Sequence, residues 1–235
     1  MTAATHHIEA EGRMIALVVR VNPRARHIGL RVPPDGSPVR LTVPSPRLMP
    51  QALAFAEARS GWILARLNRQ ARVERPFAPG VLVPVGGRQL LLLSGSGRLA
   101  RLEGDALVAG GDGALFSGRV RRWLVAEAAR VLEQETRCLA MRAGLKLAAV
   151  RVADPRSRWG SCAADGRIAY SWRLILAPDF VRRSVVAHEV AHLAEQNHGP
   201  DFWALAGALL GESHAPARAW LKAHGAGLHG WGRGV

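Results

Sequence analysis

The sequence predicts an α+β fold: a mostly antiparallel β region with one helix over residues 1–112, then a helix-rich part over residues 113–235. Three observations carry that expectation. Short runs of alternating apolar and polar residues mark strands up to about residue 108. Stripes at three- and four-residue spacing mark long helices. Proline- and glycine-containing segments punctuate both.

The strands come first. Residues 14–21 form a β-branched and aliphatic run; Ile28, Leu30 and Val32 alternate with Gly29 and Arg31, and Val39, Leu41 and Val43 alternate with Arg40 and Thr42. Asn22-Pro23 and Pro33-Pro34-Asp35-Gly36 supply the turns. Leu53, Ala56, Ser60, Ile63 and Leu67 then recur at helical spacing, with an imperfection expected at Gly61. Pro76, Pro79 and Gly80 form a linker, and Gly86-Gly87 joins a hairpin between 81–85 and 89–93. Weaker strands fall at 99–102 and 106–108. A second helix is expected over 115–141, stopped by Gly144, then strands at 150–152 and 168–176. Pro178 and Asp179 open a third helix.

Composition narrows the class. Of 235 residues, 49% are hydrophobic and 21% charged, which fits a chain with a real core and excludes a disordered tail or a collagen-like repeat. Cys138 and Cys162 are too few and too far apart for a disulfide framework or a thiolate metal knuckle. The net charge is +14, split as +7 in each of residues 1–117 and 118–235, so no basic arm stands out. Such a surface adheres to nucleic acid at low salt, but diffuse charge does not mark a dedicated nucleic-acid domain. Residues 1–13 lack the apolar stretch of a secretory signal, and no apolar run approaches the roughly 20 residues of a membrane span, so a cytoplasmic protein with no membrane partner is expected.

The third helix carries the chemistry, in the run His188-Glu189-Val190-Ala191-His192. Two histidines four apart on a helix lie about 40° apart around the axis and about 6 Å along it, so both imidazoles can reach one metal ion. Glu189 is turned enough to miss the metal and near enough to act as a general base toward water beside it. A catalytic site wants a third protein ligand, and two residues compete. Glu195 shares the histidines' face but lies about 10.5 Å along the axis from His188. His198 becomes usable if the helix ends first, as Asn197, Gly199 and Pro200 permit, and is the favoured ligand. Glu195 is then solvated or a partner of a liganding imidazole.

The stretch Ser157-Arg158-Trp159-Gly160-Ser161-Cys162 is the other unusual one. Trp159 reads as an anchor, and Gly160 as a tight turn or a close approach. Ser161 lacks a nucleophile elbow, and Cys162 reads as an inert thiol.

These motifs together resemble the YgjP-like metallopeptidase family. The resemblance lies in residues 158–162, in Ile168-Ala169-Tyr170-Ser171-Trp172-Arg173-Leu174, in the histidine motif with Asn197-His198 and Phe202-Trp203, and in Trp220-Leu221-Lys222; it covers about residues 150–225. Ser171 stands where that family usually has Asn. The resemblance implies a zincin-like catalytic core of the minimal gluzincin type over residues 113–235, with one zinc ion on His188, His192 and His198, Glu189 as base, and a peptide or protein substrate. It also implies that the strand at 168–176 is the edge along which the peptide lies. Tyr170, Arg158, His214 and His224 compete for the role of oxyanion donor, and the sequence does not choose among them. One of Phe202 and Trp203 is expected to shield the site, although a core role suits both. His6, His7, His27 and His229 are expected on the surface. The competing readings are a zincin protease that acts on DNA-bound protein, which the basic charge would suit, and a zinc-containing binding module without catalysis.

Overall fold

Glu11 and Gly12 both take left-handed backbone conformations, with φ of 49° and 75°, and make the two-residue turn that joins β1 (Ala3–Ala10) to β2 (Arg13–Val21). β1 is an addition to the three strands the pattern predicts. Its alternation is hidden by His6, His7 and Glu9, while Ile8 and Ala10 turn inward. With β3 (Gly29–Arg31) and β4 (Val39–Val43), the sheet runs in the order β1-β2-β4-β3. Only the β2–β4 pairing is parallel. The computed structural model describes residues 3–33, 37–69, 74–155 and 157–233, so the turn at Pro34-Asp35-Gly36 lies outside the described residues.

This sheet belongs to the first of two compact units, Met1–Val73. Leu17, Val19, Leu41 and Val43 pack against Ala52, Ala56, Ile63 and Leu64 from α1 (Met49–Glu57) and α2 (Ser60–Arg69). Leu17 and Leu41 are fully buried, each worth roughly 1.5–3 kcal/mol. The predicted single helix is thus two. The break falls at Ala58 and Arg59, before Gly61, which sits in the first turn of α2. Ala58 N–H is shared by the carbonyls of Ala54 and Ala56, the tightening of a helix end.

The second unit, Glu74–Val235, begins with β5 (Leu82–Val85) and β6 (Arg88–Ser94), joined by Gly86 and Gly87 at φ of 54° and 75°. β7 (Arg101–Glu103) and β8 (Ala106–Ala109) complete a sheet in the order β5-β6-β8-β7. Val83, Leu90, Leu92 and Leu107 share one core with Phe116, Val120 and Leu124 of α3 (Gly113–Arg142). The boundary expected at 112/113 therefore falls inside this unit, because these strands bury their apolar faces in the same core as α3. Gly144, at φ 66°, closes α3: its N–H bonds Met141 O, and Leu145 N–H bonds Ala140 O, the paired bonds of a Schellman stop.

β9 (Ala149–Ala153), β10 (Gly160–Cys162) and β11 (Arg167–Ser171) form a third sheet with β11 in the middle. The strand expected over 168–176 stops at Ser171. Trp172–Leu176 winds into a 3-10 turn whose five side chains are all buried, and Ser171 Oγ accepts from Arg173 N–H at 3.3 Å to start it. β11 is therefore not an edge strand; the edges are β9 and β10. α4 (Asp179–Ala191), α5 (Pro200–Leu210) and α6 (Ala215–Leu228) follow. Buried Arg182 fastens α4 to α3, with Nη2 2.8 Å from Glu135 and Nη1 2.7 Å from Asp179. No described helix is long and apolar enough to cross a membrane.

Candidate metal centre

α4 ends at Ala191, so His188 and Glu189 project from its last turn and His192 is its C-terminal cap. Leu193 N–H bonds Val190 O and Ala194 N–H bonds Ala191 O, a tightened final turn. The chain then runs free of helix until Gly199 and Pro200 start α5. His198 sits in that connection and folds back: its Nε2 is 3.1 Å from His188 Nε2. The helix thus ends even earlier than Asn197, which is what brings the third histidine round.

One ring nitrogen from each of His188, His192 and His198 lies within 4.8 Å of the others. The rings rest on Phe202, which is completely buried, with centroid distances of 4.9, 4.5 and 4.7 Å respectively. Pro200 starts the helix that carries Phe202, so one short turn positions both the third histidine and the apolar ring beneath all three.

The protonation of these rings fits metal ligation. His192 Nδ1 lies 2.9 Å from the Glu195 carbonyl oxygen. A carbonyl only accepts, so Nδ1 carries the hydrogen, and in the neutral ring Nε2 keeps its lone pair. It is thus Glu195's backbone, not its carboxylate, that touches a histidine of the cluster. Burial, and then the neighbouring imidazoles of His192 and His198, push His188 down to about 4, which leaves it neutral near pH 7. Two Zn–N bonds of about 2.0–2.1 Å meeting near the tetrahedral angle hold their nitrogens about 3.3–3.4 Å apart, close to the His188–His198 separation. Three imidazole nitrogens beside a cavity are a donor set that suits a catalytic metal.

Glu189, which lines a cavity together with His188, is 6% exposed. Its carboxyl group lies against Gly160 of β10, where a Cβ would collide with it, so Gly160 serves a close approach. Burial pushes the carboxyl up to about 7, with Arg158 pulling the other way.

A cavity of about 220 Å³ opens beside His188 and Glu189. Trp159, Trp203 and Leu221 form much of its apolar wall, while Ser184, His214 and Arg218 add polar groups. Of the four oxyanion donors considered, His214 alone lines this cavity. Tyr170 is fully buried and bonds Thr136 at 3.0 Å, with burial holding its hydroxyl far above the usual range. Arg158 is exposed outside the cavity wall, and His224 is exposed beside Trp220.

Residues 26–224 match the family described as YgjP-like, metallopeptidase domain. The chain belongs to the YgjP-like metallopeptidase family. No curated protein and no solved structure matches it. In this YgjP-like chain Phe202 is core, but Trp203 is 36% exposed and shields the cavity. His229, expected on the surface, is buried and stacks on Trp159 at 5.2 Å. The Cys162 thiol is pushed up to about 11 by burial and then by Glu189, so it remains an uncharged bystander. Ser184 and Arg218 escaped the sequence reading; the spacing of Ser184, one helical turn before His188, was the one available signal.

Proposed function

We propose that this YgjP-like chain is a zinc-dependent peptidase that holds one zinc ion on His188, His192 and His198 and uses Glu189 as its general base on a peptide or protein substrate. The observation that carries the reading is three imidazoles gathered on one apolar ring with a buried carboxyl group on the adjoining residue. When bound, zinc supplies Lewis-acid chemistry, polarising an amide carbonyl and making water acidic near neutral pH. The chain's own residues do the rest. Phe202 and the Glu195 carbonyl hold the imidazoles in place. Glu189 takes a proton from the attacking water at a carboxylate oxygen and delivers it to the departing amine nitrogen. Trp159, Trp203 and Leu221 keep bulk water from the reacting groups. β10, at the sheet edge beside Glu189, offers the strand alongside which an extended peptide adds.

Metal content per chain, measured by mass spectrometry on untagged protein, tests the site. Wild type is expected to carry about one zinc and His198→Ala at least tenfold less. Glu189→Gln is expected to keep the metal and lose hydrolysis. Equal zinc in wild type and His198→Ala would remove His198 from the ligand set, and activity surviving in Glu189→Gln would remove the base.

A further inference from the structure

His214 is buried, 8% exposed, at the start of α6, and its two nitrogens have different fates. Nδ1 lies 2.8 Å from the hydroxyl of Ser184. Nε2 is buried with no hydrogen-bond partner, although the residue lines the cavity that His188 and Glu189 share. A buried polar nitrogen left unpaired beside an open cavity is a group waiting for a ligand.

We propose that His214 donates its Nε2–H to the carbonyl oxygen of the substrate as that oxygen gains negative charge, and that Ser184 fixes the ring for this task. The inference rests on the peptidase reading above. The proton count follows from Ser184, which is itself buried and has His214 Nδ1 as its hydrogen-bond partner. In a neutral ring, the Ser184 hydroxyl satisfies its proton by donating to Nδ1, which places the ring hydrogen on Nε2. In a charged ring, Nδ1–H donates to Ser184 and Nε2 again carries hydrogen. In both of these states Nε2 is a donor, and hydrogen on Nδ1 alone is the state the proposal excludes.

The position suits the role. Ser184 and His188 are one helical turn apart on α4, about 6 Å, so the residue that orients His214 stands directly behind the turn that bears His188 and Glu189. Apolar Val185, Ala217 and Leu221 line the same cavity, and a donor in such surroundings, already oriented, stabilises developing charge without reorganising. Arg218 is the competing donor. It is exposed and lies over Trp203 at 5.1 Å, held by one cation–π contact.

The test uses full-length, zinc-loaded protein and a fluorogenic peptide that wild type cleaves. His214→Phe keeps a ring and removes the donor; kcat is expected to fall about 10²–10³-fold with KM within about threefold. His214→Gln, which restores an N–H, and Ser184→Ala, which frees the ring, are expected to fall between the two. Metal content is expected to match wild type in all three. Two readouts do not need turnover. Long-range proton–nitrogen correlation spectra of histidine-labelled, metal-free protein at pH 8 are expected to show hydrogen on Nε2 of His214. A phosphinic pseudo-tripeptide, whose oxygens mimic the charged tetrahedral carbon, is expected to bind at least tenfold more weakly to His214→Phe. Wild-type kcat in His214→Phe with loss in Arg218→Ala, or hydrogen on Nδ1 alone, would overturn the assignment. If wild type cleaves no peptide, the peptidase reading fails; the tautomer and the phosphinic affinity then decide His214 by themselves. Should His214→Phe not fold, Ser184→Ala and His214→Gln carry the same comparison, and wild-type behaviour in both would overturn it.

Discussion

Gly160 faces the side chain of Glu189 so closely that a methyl group there would stand 2.6 Å from Glu189 Cγ and 2.7 Å from its carboxyl carbon. Cγ is the fixed middle of the side chain rather than its mobile end, and α4 is anchored to α3 through Arg182 and Glu135. A larger residue at 160 must therefore swing the carboxyl group. Gly160 is not among the positive-φ glycines, so Gly160→Ala carries no backbone penalty and its effect reports this contact alone. The variant is expected to lose at least tenfold in kcat with metal content unchanged. Overpacking of this kind costs about 1–3 kcal/mol, which calorimetry of the variant checks as a fall in Tm.

The same helix end separates two readings of the third ligand. His198 lies against His188, whereas Glu195 meets the cluster through its backbone carbonyl. Glu195→Ala keeps that carbonyl, so it is expected to bind metal like wild type. His192→Ala, which removes a ring, is expected to bind at least tenfold more weakly. Competition titration against a chromogenic chelator measures both, and a loss of metal in Glu195→Ala would return the carboxylate to the ligand set.

Cys162 stands in the motif beside Glu189, and its protonation decides whether it takes part. With its thiol pushed up to about 11, Cys162 is almost wholly protonated at pH 8 and a poor nucleophile, while Cys138 is exposed on α3. Iodoacetamide at pH 8 is expected to modify Cys138 first, read by peptide mass mapping. Cys162→Ala is expected to keep kcat within about threefold. Rapid labelling of Cys162 together with loss of activity in that variant would give the thiol a role.

What could be read in the sequence was local. His188 and His192 are one turn apart, Asn197, Gly199 and Pro200, which permit a helix to end, surround His198, and Gly160 offered a close approach; each fact lives within a few residues. The cavity's far wall does not. His214 and Arg218 come from α6, and no periodicity ties them to α4 across more than twenty residues. Strand pairing was equally hidden. The run 168–176 is apolar enough for one long strand, yet Ser171 caps a 3-10 turn and β11 becomes the centre of its sheet, so the edges pass to β9 and the three-residue β10. His229 looked like a surface residue because nothing near it in the chain announces Trp159, its stacking partner.

Arg173 shows how the end of the second unit is tied down. It is 4% exposed; Nη1 donates at 2.9 Å to the carbonyls of both Leu228 and Trp231, and Nε donates at 3.0 Å to Asp154. Burial pushes Asp154 up, but the hydrogen bond and charge of Arg173, with Trp172 and Arg121, hold it below the usual carboxylate range. A carboxyl group with a depressed folded pKa stabilises above its unfolded value, near 3.9, and that contribution is lost as pH falls through the folded value. Arg173→Met takes a donor from two carbonyls and leaves the Asp154 carboxylate with Arg121 at 3.2 Å, and is expected to cost about 3 kcal/mol at pH 7. Asp154→Asn is expected to cost less, about 1 kcal/mol, because Asp154 keeps 36% of its side chain in water. The two substitutions share one ion pair, so their double variant is expected to be less destabilised than the singles sum to. Urea unfolding followed by tryptophan fluorescence from pH 7 to pH 2 checks the sign. The gap between wild type and Asp154→Asn is expected to close as Asp154 protonates; a gap that stays constant across that range would mean the pair contributes through shape rather than charge.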